Sequence, residues 1–256
     1  MSTKKIYSAI AICIATVQLN AQDFKQTFDE GGDLKLYISR SKDATSQNKL
    51  FSLVTLDNLK AEVIDKKLRF TRNASSSDNA GSWVIGGTSS PFSPAPVVAE
   101  VSMEFEIKDN TTANQSMFLA IGTNIGDPPL PSANQNTHSS FAIKSTHIPG
   151  KFIVNNGTVV QAFKGKAAGP YSGKVVLKWI INNSGSEHTY AGPDGAQAVI
   201  ANDCWNLYID DKLVQENQSA ITPGIENLTA VKFAFKNNEK GTITVDMDNI
   251  SIKKLK

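Results

Sequence analysis

The segment VSMEFEIK, residues 101–108, decides the fold class of this chain. Apolar residues alternate with polar ones along it, at Val101, Met103, Phe105 and Ile107. A period of two places these four side chains on one face of an extended strand. Runs of the same kind recur at residues 117–121, 141–147, 174–181, 205–209, 231–235 and 242–252. Helical periodicity is hard to find after residue 22, so the sequence predicts an all-β protein.

Two tight turns can be placed between these runs. Asn156 and Gly157 tolerate the positive φ angles of a type I′ hairpin turn. Asp210 and Asp211 separate two apolar runs and predict a second hairpin. Turn residues recur along the chain at short intervals, which is typical of two antiparallel sheets packed as a β-sandwich.

Three long polar stretches interrupt the predicted strands, at residues 73–96, 127–140 and 183–203. Loops of this length in a compact sandwich are usually functional rims or spacers. The chain shows no internal repeat and no sharp linker, so we expect one domain over residues 23–256.

Residues 1–22 have the layout of a cleaved export signal. Lys4 and Lys5 precede a mostly apolar run over residues 6–19, and the small residue Ala21 follows it. The run is too short for a bilayer, which needs about 20 residues, and the alternative is a buried N-terminal helix. Cys13 lies inside the apolar run and not at the cleavage point, which argues against a lipid anchor. We therefore expect a secreted or periplasmic protein without membrane insertion.

The charge of the mature chain excludes a broad nucleic-acid surface. Loss of Lys4 and Lys5 with the signal reduces 26 basic residues to 24, equal to the 24 acidic residues. A neutral chain lacks the strongly basic field that nucleic acid binding requires. Cys204 is the one cysteine left after cleavage, so no intramolecular disulfide can form, and it is typical of a small buried residue.

Three segments resemble parts of known secreted proteins. DFKQTFDEGGDL, residues 23–34, resembles the first strand of secreted jelly-roll glycan-binding modules, and GTITVDMDNISIKK, residues 241–254, resembles their last strand. Residues 175–214 resemble concanavalin A-like proteins of polysaccharide-degrading bacteria, and the NAQ ending of the signal is similar to those of Bacteroidetes. The resemblance implies a jelly-roll or concanavalin A-like sandwich and an extracellular polysaccharide as partner. None of its motifs is catalytic.

The resemblance also implies a structural calcium ion. In similar jelly-rolls the first and last strands pair and carboxylates from both hold the ion. Glu30, Asp246 and Asp248 are the corresponding candidates here, with Asp29 as a substitute. Calcium takes six to eight oxygen ligands, which carboxylates and loop carbonyls can supply. The alternative is a solvated acidic strand end.

Glycoside hydrolysis has a weak candidate in Glu104, Glu106 and Asp109. The spacing is similar to the E-x-D-x-x-E strand of laminarinase-type glucanases, but the second and third acids are exchanged in type. Glycosidases need two carboxyl groups about 5–9 Å apart across the glycosidic bond. Asp109 is one carbon shorter than the final Glu of that pattern, which draws its carboxyl group back from the bond. A solvated strand face also explains these charges.

A polysaccharide lyase is the stronger enzyme hypothesis. β-Elimination from a uronate needs a base, a proton donor and groups that stabilise the enolate-like charge. The candidate catalytic residues are His147, His188, Tyr190 and Lys178, with His147 expected on the same strand as Lys144. Arginine, which would clamp a carboxylate bidentately, occurs only at Arg40, Arg69 and Arg72.

Aromatic side chains are the usual platforms for sugar rings. Trp179 and Trp205 alternate with apolar residues and are predicted to lie in the core. The candidates for carbohydrate binding are Trp83, Tyr171 and Tyr190, in polar stretches expected to form loops, and the cationic Lys144 on a predicted strand. The sequence favours a secreted polysaccharide-binding protein, with a uronate lyase as the alternative, and leaves open whether it is an enzyme.

Overall fold

The structure, a computed structural model, describes residues 24–38, 53–55, 59–74, 82–86, 95–112, 115–123, 125, 134–156, 167–225, 227–236 and 240–255. The predicted export signal and the turn at Asn156 and Gly157 lie outside these residues, apart from the backbone of Asn156. Within them, no helix is long and apolar enough to cross a membrane.

Strands account for most of the described chain. In chain order they are β1 (Phe24–Gln26), β2 (Leu53–Thr55), β3 (Leu59–Ile64), β4 (Lys67–Ala74), β5 (Ser82–Gly86), β6 (Val98–Asn110), β7 (Ser116–Gly122), β8 (Thr137–Ser145), β9 (Lys151–Asn156), β10 (Ala168–Ser172), β11 (Val175–Asn182), β12 (His188–Ala191), β13 (Gln197–Ile200), β14 (Cys204–Ile209), β15 (Lys212–Ser219), β16 (Ala230–Phe235) and β17 (Gly241–Lys254). Two short 3₁₀ turns lie at Leu34–Tyr37 and Asn134–Asn136.

The strands form two large antiparallel sheets and one hairpin. The eight-stranded sheet has the order β15-β14-β11-β6-β17-β4-β3, with β1 paired to β17. The seven-stranded sheet has the order β10-β9-β8-β7-β16-β5-β2, and β12 pairs with β13. The prediction of an all-β sandwich is confirmed.

The core lies between the two large sheets. Along β6 the predicted alternation holds, with Val101, Met103, Phe105 and Ile107 buried. They join one apolar cluster with residues of the seven-stranded sheet such as Phe141.

Trp179 and Trp205 are also in this core, as predicted. Their rings meet edge to face with centroids 6.1 Å apart, and Phe141 lies 5.2 Å from Trp179. Neither indole N–H has a hydrogen-bond partner. The two tryptophans therefore contribute apolar packing and not a polar anchor.

The turn at Asp210 and Asp211 is confirmed. Both residues have positive φ, 48° and 63°, and Ile209 pairs directly with Lys212 across it. Positive φ at both central positions is the requirement of a type I′ turn. Asp210 also accepts a hydrogen bond from the backbone N–H of Val176, at 2.8 Å, which fixes the turn beside β11.

The predicted loops are wrong in part, because each contains strand. Residues 73–96 include β5, residues 127–140 include the start of β8, and residues 183–203 include the β12–β13 hairpin. The hairpin strands are only four residues long, too short for a clear alternation. Its turn closes through a hydrogen bond from Gly195 N to Gly192 O, with Gly195 at φ +79°.

Candidate functional site

Four carboxylates stand together on the outer side of the eight-stranded sheet. Glu104 and Glu106 project from β6, because Phe105 and Ile107 between and after them turn into the core. The antiparallel register places Asp248 of β17 opposite Glu104, and Asp246 opposite Glu106. With Lys67 and Lys174 they line a shallow depression, which we call the carboxylate depression.

The prediction that Glu104 and Glu106 share a strand face is confirmed. Asp109, the third acid of that pattern, is exposed and pairs with Thr244 beyond a shift in register. It does not line the depression.

Three of the four carboxylates have a cationic partner. Lys174 Nζ lies 2.8 Å from Glu104 Oε2, and Lys108 Nζ lies 3.0 Å from Glu106 Oε1. Arg69 holds Asp246 with two parallel hydrogen bonds, of 2.6 and 2.7 Å. This bond to Asp246 raises the pKa of the Arg69 guanidinium, and the bond to Glu104 raises the pKa of Lys174.

Asp248 is held by backbone and amide donors instead. The N–H of Asn249 donates to it at 2.7 Å, while the Asn249 side chain donates to Glu104 Oε1 at 3.1 Å. Asn249 has φ 49° and lies at a register shift in β17, so a bulge aims its amide between the two acids. Burial raises the pKa of Asp248, and the nearby carboxylates of Glu104 and Asp29 raise it further.

The candidate calcium ligands do not fit a calcium site. β1 does pair with β17, as the resemblance implies. However, both oxygens of Asp246 accept from Arg69, and Glu30 lies exposed in the turn after β1. In the described residues no three Asp, Glu, His or Cys side chains form a group that could hold a metal ion.

The β12–β13 hairpin, residues 188–200, folds over the outer side of the same sheet, and we call it the flap. Tyr190 packs there in an apolar cluster with Ile180, Ile200 and Tyr208. The Tyr190 and Tyr208 hydroxyls are 2.7 Å apart, and the Asn206 amide donates to Tyr190 at 2.8 Å. Burial, followed by the bond to Tyr190, raises the pKa of Tyr208. Tyr190 is 5% exposed and offers neither its ring nor its hydroxyl to solvent.

The other candidate lyase residues are not brought together. β8 ends at Ser145, so His147 is exposed in the following turn and does not share a strand with Lys144. Lys178 forms an ion pair of 2.7 Å with Asp211. His188 lies on the flap with its Nε2 buried and without a partner.

No hydrogen bond or ion pair joins any two of His147, His188, Tyr190 and Lys178 in the part of the chain that the structure describes. A general base and a proton donor for β-elimination are therefore not adjacent among these four residues.

The remaining sugar-binding candidates are dispersed. The prediction that Trp83 lies on a rim loop is wrong, because Trp83 is in β5 and pairs with Phe233 of β16 and Val54 of β2. Tyr171 lies on the edge strand β10, half-buried, with its ring 5.7 Å from that of Phe152. Lys144 is half-buried on β8 in the middle of the seven-stranded sheet.

Sequence reasoning missed a buried histidine at the start of β8. His138 is 0% exposed; its Nδ1 lies 2.8 Å from Ser139 Oγ and its Nε2 lies 3.3 Å from Asp203 Oδ1. The order Ser, His, Asp resembles a hydrolase relay, but Ser139 is also 0% exposed and cannot reach a substrate. The local sequence, THSS, gives no sign that the imidazole is buried.

Comparisons with known proteins give similar shapes at low identity. No protein-family model matches the sequence, and no curated protein matches it. The fold is similar to that of the carbohydrate esterase vb_24B_21 from Shiga toxin-encoding bacteriophage phi24B, with TM-score 0.47 and 10% identity over 87% of this chain and 100% of that one. It is also similar to the Emp46p carbohydrate recognition domain in its potassium-bound form, with TM-score 0.47 and 11% identity over 86% and 98%.

A third similar structure is the binding domain of botulinum neurotoxin DC in complex with SialylT. Its TM-score is 0.44 at 11% identity, over 80% of this chain and 43% of that one, so the present chain spans less than half of it.

Proposed function

We propose that the protein binds an extracellular carbohydrate through the carboxylate depression. The observation that carries this proposal is a linked set of hydrogen-bonding groups around the depression. It comprises Glu104 on β6, Asp248 and Asn249 on β17, and Lys174 just before β11. Rigid strands hold such groups at fixed separations, which a binding site requires.

The chemistry of these groups suits sugar hydroxyls. A hydroxyl can donate to a carboxylate and accept from an ammonium or an amide at the same time. Side chains directly opposite on antiparallel strands have Cβ atoms about 4.5–5.5 Å apart, so Glu104 and Asp248 can bind neighbouring hydroxyls of one ring.

The charge of the depression favours a neutral glycan. Four carboxylates face it, and the cations near them are already paired with Glu104, Glu106 and Asp246. A uronate or a sulfated chain would meet carboxylates without a free cationic clamp, and like charges at close range repel.

Two features of the sequence support an extracellular role. Residues 1–22 have the layout of an export signal, and residues 23–34 and 241–254 resemble strands of secreted glycan-binding modules. The partner is accordingly a polysaccharide outside the cytoplasm, in the periplasm or the medium. The lyase alternative is weaker, because His147, His188, Tyr190 and Lys178 are not adjacent.

One observation favours glycoside hydrolysis as a second candidate function. The pKa of Asp248 is raised by burial and by the carboxylate of Glu104 opposite it. A carboxyl group with a raised pKa can serve as the general acid beside a second carboxyl group.

Binding can be tested by affinity electrophoresis of the purified protein in gels that contain neutral, uronate or sulfated polysaccharides. We expect retardation in at least one neutral glycan, and a loss of affinity of about tenfold or more in Glu104→Gln and Asp248→Asn, since each removes a charged hydrogen bond. Glu62→Gln is the matched control, because Glu62 lies on β3 of the same sheet and does not line the depression.

The outcomes separate the candidates. Retardation that persists in both depression variants would refute this site, and no retardation in any gel would refute carbohydrate binding. New reducing ends released by the wild type but not by Asp248→Asn would establish hydrolysis. A rise in absorbance near 235 nm on uronate glycans would instead revive the lyase.

A further inference from the structure

His138 joins three segments that are distant in sequence. Its side chain contacts Asp203, in the turn between β13 and β14. Its backbone carbonyl accepts hydrogen bonds from Ile221 N at 2.7 Å and Thr222 N at 3.4 Å. Asp203 in turn accepts the N–H of Gly224 at 3.0 Å. β8 of the seven-stranded sheet is thereby tied to the β13–β14 turn and to residues 220–225, which we call the connecting segment.

The same contacts reach the root of the flap. Asn202 donates to Asp203 Oδ2 at 2.7 Å and accepts from the N–H of Gly185 at 2.7 Å. Gly185 lies just before β12 and Asn202 just after β13, so this pair closes the base of the flap. An unbroken series of hydrogen bonds thus runs from His138 through Asp203 and Asn202 to both ends of the flap.

The hydrogen bonds define the protonation state of His138. An ionised carboxylate only accepts, so Nε2 must carry the proton that is donated to Asp203. Nδ1 is then free to accept from the hydroxyl of Ser139. Both ring nitrogens are satisfied when the imidazole is neutral. A second proton on Nδ1 would have to be donated to the Ser139 hydroxyl oxygen, and it would place a positive charge on an imidazole that is 0% exposed.

Burial opposes that second proton. It lowers the pKa of His138 below its ordinary value, and the smaller effect of Asp203 in the opposite direction does not compensate. Asp203 is the charged group of the described residues that acts on this pKa. The connecting segment carries no titratable side chain, and β7 places Ile121 opposite Ser139 and Gly122 opposite Thr137. Cys204, beside Asp203, has a raised pKa and stays an uncharged thiol under acidic conditions.

We propose that the contact between His138 and Asp203 is an acid-sensitive latch, which holds the connecting segment and the flap root against β8 at neutral pH and releases them on acidification. The closed form binds fewer protons than the open form, in which the imidazole is solvated. The closed form is therefore favoured above the ordinary histidine pKa of about 6.5, and it loses this advantage as the pH falls below it.

Amide hydrogen exchange followed by mass spectrometry tests the latch. Exchange of the full protein is compared at pH 7.5 and pH 5. The exchange times are adjusted for the pH dependence of the intrinsic amide exchange rate. We expect peptides covering residues 198–206 and 219–225 to lose protection about tenfold or more at pH 5. Peptides of β6 and β17 should keep theirs, because they belong to the core.

The three histidines of the chain provide matched variants. A glutamine at position 138 can donate to Asp203 and accept from Ser139 without titrating, so His138→Gln should abolish the pH effect. His147→Gln and His188→Gln should retain it, since His147 is exposed and no hydrogen bond among the described residues joins His188 to His138 or Asp203.

Three results would overturn the latch. These are an unchanged pH response in His138→Gln, a response lost in His147→Gln, and core peptides that open together with the flap root. Should His138→Gln fail to fold, Asp203→Asn replaces it. Asp203 raises the pKa of His138 in the closed form, so removing its charge lowers that pKa further and makes the closed form less stable in acid. Asp203→Asn must therefore move the opening to higher pH, and an unmoved midpoint would refute the mechanism.

Discussion

Replacing Arg69 with methionine tests how far the fold depends on the ion pair beneath the carboxylate depression. Arg69 donates to both oxygens of Asp246, at 2.6 and 2.7 Å, and the Asp246 side chain is 2% exposed. Arg69→Met keeps the apolar stem but leaves a buried carboxylate without its cation. Removing one partner of a buried pair costs about 3–5 kcal/mol. The Arg69 side chain is 21% exposed, so water can partly replace the guanidinium, and we expect a loss of about 3 kcal/mol.

Urea unfolding followed by tryptophan fluorescence measures this loss, because Trp179 and Trp205 are both in the core. With a slope of about 2–3 kcal/mol per molar urea, the midpoint should fall by about 1–1.5 M. The control is Lys60→Met, which breaks the exposed pair between Lys60 and Glu62, worth about 0–1 kcal/mol. A midpoint for Arg69→Met within error of this control would refute the reasoning, and so would a failure of added Asp246→Asn to recover stability.

Three further predictions concern the backbone and the titration of one acid. Gly122→Ala should lower the free energy of unfolding by more than about 3 kcal/mol, because the added Cβ would lie 2.0 Å from the backbone oxygen of Asn136. Gly185→Ala, where the Cβ meets open space and φ is +83°, should lower it by only about 1 kcal/mol in the same urea assay. Lys66→Gly should raise stability by about 0.5–1 kcal/mol, since Lys66 holds φ 59° in an exposed turn, and a lower midpoint would contradict this. Asp248→Asn should be more stable than the wild type at pH 7 but not at pH 3. The pKa of Asp248 is raised in the folded state, so its charge opposes folding only as the pH rises through that pKa, and equal stability at pH 7 would argue against it.

The strands of this fold could be predicted where a period of two persists over at least five residues. β6, β14 and β16 lie within a few residues of the predicted runs at 101–107, 205–209 and 231–235. The strands of the flap, HTYA and QAVI, are too short to display a period. Their position depends on the contact between Tyr190 and Tyr208, which are 18 residues apart in sequence. The sequence around either residue does not indicate this contact.

The outer face of the seven-stranded sheet departs from the expected pattern for a different reason. β7 and β16 are buried along their whole length, including Ala120, Ala234 and Lys232 on the side away from the core. A strand with one solvated face would carry polar residues at such positions. The small residues of β7 and β16 indicate burial on both faces. The apolar runs at 117–121 and 231–235, taken alone, predict only the face toward the core.

The sequence draws attention to the four acids of the candidate site, but for other roles: hydrolysis for Glu104 and Glu106, and calcium for Asp246 and Asp248. None of the predicted sugar-binding residues lines the depression. The sequence indicates that Glu104 and Glu106 share one face, and that Asp246 and Asp248 share another. It cannot indicate that these faces adjoin, because the register between β6 and β17 is fixed by contacts some 140 residues apart in sequence. His138 was missed for the same reason, since its partner Asp203 belongs to a distant turn.

The register between β6 and β17 also bears on why this depression is the better candidate than the flap. Like charges directly opposite on neighbouring strands destabilise a sheet, and here two such pairs lie side by side, Glu104 with Asp248 and Glu106 with Asp246. Cations relieve three of the four acids, while Asp248 depends on the bulge at Asn249 for its donors. Folding alone does not require this arrangement, because uncharged residues at the same outer positions would form a more stable sheet. Proteins retain such local conflicts mainly where a ligand or a reaction uses them. The flap has a buried and unpartnered Nε2 on His188, but its described strands place no like charges opposite one another.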